Sequence, residues 1–213
     1  MKKFRFSSLV LLLVFLLGMA VVFTEETFYQ IEKSVFSALR LISPAMDKPF
    51  TFITELGSAV GVISVTAVIL IVTLFKRKYF FTVGLPVTIT VIVSRVVNIT
   101  LKILIDRPRP DFRVLEVSEA SFPSGHAQNN MALYISVLLV LLFIVNAPKW
   151  RIPLKIILIA VPVIIGITRV YFGVHYISDV VSGWAMGAFT SILVNYFYFK
   201  IYYSIKEKKN AKN

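Results

Sequence analysis

The sequence predicts an all-α protein that sits in a lipid bilayer, and three observations carry that expectation. A 57% hydrophobic composition with a mean hydropathy of +0.81 is too apolar for a water-soluble globule. The apolar residues come in runs of about the length a bilayer helix needs. Lysine and arginine gather mainly in the short stretches between the runs, where they orient helices in a membrane. The formal charge of +12 therefore reads as topology, and no nucleic-acid partner is expected. The chain has no cysteine and only two histidines, so neither disulfides, thiolate chemistry nor the usual zinc ligand sets of three or four N/S donors are expected, and no cofactor is implied.

In chain order, Lys2, Lys3 and Arg5 precede an uncharged run from Ser7 to Phe23. A basic start and an apolar run also describe a signal peptide, but the residues before Thr24 make a poor small-x-small cleavage site, so the run is read as the first span. From Thr24 to Leu56 the character changes. Phe28, Ile31, Val35, Phe36, Leu39 and Ile42 recur at helical spacing with Glu32, Lys33 and Arg40 between them, and Pro44 and Pro49 interrupt the run. That pattern predicts an amphipathic segment at the membrane interface, roofing one end of a bundle. Five further spans are predicted at Ser58–Phe75, Tyr79–Leu101, Ala127–Val145, Ile152–Tyr171 and Val180–Phe199.

The resulting six helices form one bundle and a single domain over residues 1–213. With both termini on one side, that side carries 14 of the 23 Lys/Arg residues and one acid, Glu207. The positive-inside rule makes it the cytoplasmic side of the cell membrane. The loops after the third and fifth helices, and the turn before the fourth, then lie outside the cell.

Those outer connections hold three polar islands. Ser121-Phe-Pro-Ser-Gly-His126 is a turn at the start of the fourth helix, where Pro123 fixes φ, Gly125 relaxes the backbone, and unpaired N–H groups favour an anion. The stretch from Lys102 to Pro110 brings Lys102, Arg107 and Arg109 together within eight residues, cations suited to phosphate oxygens on the side where topology does not ask for them. Thr168 to Asp179 contains Arg169, His175 and Asp179; four residues apart on a continuous helix, His175 and Asp179 would share a face, with the carboxylate holding one imidazole nitrogen and leaving the other free. Gly183 and Gly187 are read as a close-packing pair on the sixth helix.

Lys102 with six residues before Arg109-Pro110, then Pro123-Ser-Gly-His126, then Arg169 with five residues before His175 and three more before Asp179, resembles the three signature motifs of the type 2 phosphatidic acid phosphatase (PAP2) superfamily. Thr168 stands where the third motif usually opens with serine, which keeps the hydroxyl. The resemblance implies a membrane lipid phosphatase that needs no metal. In it, His175 is the nucleophile that becomes a phosphohistidine, Asp179 orients it, and His126 protonates the leaving oxygen. Lys102, Arg109, Ser124, Gly125 and Arg169 bind the phosphate, with Arg107 only in an outer shell. The implied substrate is a lipid phosphate or diphosphate, with undecaprenyl diphosphate and phosphatidylglycerophosphate ahead of phosphatidate. The rival readings are a phosphotransferase of the same fold and a non-catalytic transporter or scaffold. Against transport, the charges cluster at one face and no pair of interrupted helices meets at the midplane.

Overall fold

The computed structural model describes residues 2–144 and 148–211, and all regular structure among them is helical. In order these are α1 (Lys2–Phe23), α2 (Glu25–Arg40), α3 (Asp47–Leu56) and α4 (Ala59–Leu74). A single turn, α5 (Arg77–Tyr79), runs through a π-helical stretch, Phe80–Gly84, into α6 (Leu85–Ile105). After a long loop come α7 (Gly125–Ile144), α8 (Pro148–Tyr171) and α9 (Ile177–Asn210). Among the described residues three helices are long and apolar enough to cross a membrane: Arg77–Ile105, Arg151–Tyr171 and Ile177–Asn210. The pair Asp47–Leu56 and Ala59–Leu74, bent by 50°, makes a fourth if it counts as one broken span.

α7 is the central helix, packed by α9, α8 and α6, while α1 leans on α9 from outside. The close approach of α9 to α7 depends on two missing side chains. A Cβ at Gly183 would meet the Ser124 carbonyl oxygen at 2.9 Å, and one at Gly187 would meet the Gln128 carbonyl oxygen at 2.2 Å. The pair thus does what small residues do between membrane helices. Polar side chains pair across this seam: Asn195 Nδ2 donates to Ser136 Oγ at 2.9 Å and to Thr90 Oγ1 at 3.2 Å.

Several boundaries differ from expectation. The third run does not stop at Leu101: α6 continues to Ile105 and ends where Asp106 turns left-handed, φ 43°. Lys102 is therefore in the last turn of a helix, not in a loop. The sixth continues past Phe199 to Asn210, because Lys200 and the basic tail are good helix formers once clear of the apolar stretch. The expected end of the fourth run at Val145 lies outside the described residues.

The amphipathic segment is two helices joined by the turn 41–46. α2 packs on α8, α9 and α1, and α3 packs on α8 and α4. Its polarity runs against the pattern: Ile31 is 56% exposed, whereas Glu32 is 4% exposed and faces inward. Asp47 ties the turn to the end of α8: Arg40 pairs with it at 2.8 Å and Tyr171 donates its hydroxyl to it. The Arg40 guanidinium also lies 4.7 Å from the Tyr171 ring centre.

Candidate active site

Two loops and two helix starts make the site. Ser124 begins α7: its carbonyl accepts from Gln128 N at 2.9 Å and its hydroxyl accepts from Ala127 N at 3.4 Å. The Ser124 N–H in turn donates to the Asp179 carbonyl at 3.1 Å, pinning the α7 start to the α9 start. The α8–α9 connection needs a left-handed residue. Gly173, φ +63°, supplies it where a Cβ would also crowd Phe36 and the Arg113 backbone.

His175 and Asp179 do meet, but not as helical neighbours. α9 begins only at Ile177, and Asp179 folds back in a capping box to accept from Tyr176 N at 3.1 Å. The fold-back brings its Oδ2 to 3.4 Å from His175 Nδ1. Ser121 donates its hydroxyl to the same Oδ2 and sits 3.3 Å from Nδ1. On the other oxygen, Arg107 Nη1 donates to Oδ1 at 2.7 Å and also to Ser178 Oγ at 2.9 Å, with the guanidinium 3.9 Å from the Tyr176 ring centre. Arg107 is therefore the buried partner of Asp179 rather than a distant charge. A carboxylate with no exposure is tolerated in such company because Arg107 supplies the opposite charge and both oxygens have donors.

Arg109 fixes the far edge of the imidazole. Its Nη1 donates to the Val174 carbonyl at 2.6 Å and lies 3.3 Å from His175 Nε2, while Nε donates to the Glu119 carbonyl at 2.6 Å. A guanidinium has no acceptor, so the contact assigns a lone pair to Nε2 and the proton to Nδ1, where Asp179 takes it. Burial pushes the His175 pKa down to about 3, outweighing the pull of the hydrogen bond and charge of Asp179, with Arg109 and Arg169 adding to the fall. The imidazole is thus neutral, with its Nε2 lone pair turned to Arg109. Burial also lowers the Arg109 pKa, which leaves it cationic.

His175 lines a cleft of about 460 Å³ together with Lys102, Arg109, Glu119, His126, Asn129, Arg169 and, among others, apolar residues of α4 and α6. Arg169, 7% exposed, donates to Thr54 Oγ1 at 2.7 Å and keeps a buried Nε without a hydrogen-bond partner. Lys102 Nζ donates to the Ala120 carbonyl and lies 3.7 Å from Glu119 Oε2. Gly125 lines the cleft too, where a Cβ would come within 3.0 Å of Asn98 Oδ1. Ser124 does not reach the cleft wall; it is buried as the helix cap. Thr168 turns its hydroxyl back to the Ile165 carbonyl at 2.6 Å.

A profile of the PAP2 superfamily matches residues 84–203. The chain is 32% identical to phosphatidylglycerophosphatase B of Bacillus subtilis over 90% of its own length and 94% of the relative's. The chain belongs to the PAP2 superfamily. It is an enzyme, a phosphatase, and its apolar helices and likeness to a transmembrane PAP2-type protein make it a multi-pass membrane protein. A second relative, the undecaprenyl-diphosphatase of Sulfolobus acidocaldarius, is 33% identical over 67% of this chain and 66% of its own. The fold superposes with a TM-score of 0.82 and 31% identity on the crystal structure of a transmembrane PAP2-type phosphatidylglycerolphosphate phosphatase from Bacillus subtilis, covering 92% of this chain and 98% of that one.

Sequence reasoning missed several PAP2-site neighbours of this chain. Ser121 opens the turn motif without its spacing pointing to a role, and Glu119 and Thr54 carry no signal, because each acts through the fold and none at a distinctive spacing. Glu32 carried a misleading one: a lone acid on an amphipathic helix reads as solvated. Its carboxylate instead accepts from Ile177 N at 2.6 Å, from Ser178 N at 3.2 Å and from the Ser178 hydroxyl, capping α9 from another helix.

Proposed function

We propose that the chain is a lipid phosphatase that removes a terminal phosphate from a lipid phosphate or diphosphate through a phosphohistidine on His175. The observation that carries this reading is the placing of His175, its Nδ1 3.4 Å from Asp179 Oδ2, in a cleft rimmed by cations. Lys102, Arg109 and Arg169, with N–H groups at the α7 start around Gly125, bind the phosphate oxygens and stabilise the charge of the transition state.

His175 Nε2 attacks phosphorus; a P–N bond forms as the P–O bond to the lipid breaks, and His126, held neutral by burial and Arg169 until an anionic phosphate in the cleft lets it take up a proton, passes that proton to the departing oxygen. Asp179, held by Arg107 and Ser121, stabilises the charge left on the imidazole. His126 then takes a proton from water, whose oxygen attacks phosphorus, and the P–N bond breaks to release inorganic phosphate and neutral His175. Ser124 supports this chemistry as the cap that aims Gly125 and His126.

The wall of the cleft opposite the dyad is apolar, made by Ala59, Val62 and Ile63 of α4 and Val91, Ile92 and Val96 of α6. Ile63 and Val96, 65% and 59% exposed, carry that surface out to the lipid-facing side, a path for acyl or prenyl chains. A diphosphate or a phosphatidylglycerophosphate fits this shape, as does phosphatidate. We place the protein in the cell membrane with six spans, both termini in the cytoplasm and the site outside, on the strength of the basic cytoplasmic loops. Phosphate release from a purified lipid panel tests the reading. His175→Ala should lose turnover on every lipid, and His126→Ala should keep slow attack on esters with good leaving groups, because a general acid contributes about 10²–10⁴-fold. Wild-type rates from His175→Ala would overturn it.

A further inference from the structure

Arg95 stands apart from the motif residues. It is seven residues before Lys102 on α6, so it lies on the same face two turns, ~10 Å, further along the span. It lines the same cleft, exposed to it and set among Val91, Ile92 and Val96. Among the described residues it has no hydrogen-bond or ion-pair partner, and its charge acts repulsively on Lys102. A cation inside an apolar span is costly, and such residues face a ligand path or a partner. The one carboxylate lining the cleft, Glu119, is paired with Lys102, and the other charges there are cations, so the missing partner is an anion.

The direction is informative. The dyad, Arg109 and Lys102 surround the scissile phosphate at the polar end, while Ile63, Ile92 and Val96 mark where the lipid chain leaves. Arg95 lies among these apolar residues, on the tail side of the reacting group.

We propose that Arg95 binds a second phosphoryl group, the one joining the lipid to the phosphate being removed, and so favours two-phosphate head groups over a single phosphate. The inference rests on the site reading above and adds the substrate class to it. Phosphatidylglycerophosphate carries its second phosphoryl one glycerol away from the terminal phosphate, and undecaprenyl diphosphate carries it one bridging oxygen away. The axial separation of Arg95 from Lys102 favours the glycerol-spaced pair. Phosphatidate has no second phosphoryl group for Arg95 to bind.

The test compares kcat/KM of the purified full chain on these three lipids for wild type, Arg95→Gln and Arg95→Lys. A charge-assisted contact of this kind is worth about ten- to a hundredfold. Arg95→Gln should therefore lower the ratio of phosphatidylglycerophosphate to phosphatidate activity by about tenfold or more, mainly through KM, with undecaprenyl diphosphate between them. Arg95→Lys, which keeps the charge, should recover part of that ratio. An equal fall on all three lipids, or no change in the ratio, would overturn the proposal and leave Arg95 as a snorkelling cation. His175→Ala on the same panel separates the two readings: its failure to abolish turnover would strike the phosphatase mechanism, whatever Arg95 does.

Discussion

Replacing Glu32 with alanine removes the acceptor that caps α9 from α2. In the native fold its two oxygens take the N–H groups of Ile177 and Ser178 and the Ser178 hydroxyl, at a position only 4% exposed. Losing a helix cap costs about 0.5–2 kcal/mol, and each buried donor left unmade adds about 1–3 kcal/mol. Relief from burying a carboxylate offsets part of this. The net loss is on the order of 2–4 kcal/mol, which for a chain of this size lowers Tm by about 5–15 °C. The effect reaches the dyad because Ser178 also accepts from Arg107, which holds Asp179. We therefore expect kcat to fall about tenfold or more with a smaller change in KM, since orientation rather than phosphate binding is disturbed. Glu32→Gln, which keeps the shape and one acceptor, should fall between. Thermal unfolding in detergent and steady-state kinetics on one lipid phosphate read both effects; a Tm within 1–2 °C of wild type with unchanged kcat, about the noise of such a measurement, would refute the coupling.

Other outcomes follow from the same geometry. With only two histidines in the chain, ¹⁵N-histidine NMR of His126→Ala isolates His175, whose Nδ1–H tautomer should persist from pH 7 to 5 because its pKa is pushed down to about 3; a midpoint near 6.5 would contradict the burial. The sign for stability is that the unfolded chain takes up this proton near pH 6.5 while the fold resists it, so the contribution is present above that pH and is lost on acidification. Among the described residues no three His, Asp or Glu side chains converge as a metal site would require, so activity should survive EDTA and be blocked by vanadate; loss on chelation with rescue by magnesium or zinc would contradict this. Single cysteines at Ser118 and Ser204, both exposed in this cysteine-free chain, report topology in intact cells: a membrane-impermeant maleimide should label 118 and not 204, and the reverse would put the reaction in the cytoplasm.

The parts legible in the sequence were those written in local pattern. Apolar runs marked most helices, and the small pair Gly183 and Gly187 marked the tightest packing. The motif cations and both histidines are brought to one cleft, with Ser124 set behind its wall as a cap. What remained hidden depends on contacts between distant segments. The His175–Asp179 approach looked like a helical pair but arises from a capping box, because the chain breaks at Gly173 and restarts at Ile177. Arg107 looked peripheral, yet its side chain turns inward to Asp179 at 2.7 Å. Glu32 looked solvated because hydropathy periodicity cannot distinguish a polar face from a buried carboxylate with donors waiting on another helix.

The central claim is a phosphoryl group carried on His175. Rapid quench of the purified enzyme with a lipid substrate labelled in its terminal phosphate, followed by alkaline digestion and mass spectrometry, looks for it directly. An acid-labile, alkali-stable phosphate on the peptide containing His175, enriched in His126→Ala with a good leaving group and lost in His175→Ala, is the predicted result. Turnover with no enzyme-bound phosphate on any residue under those conditions, or phosphate on His126 instead, would contradict it.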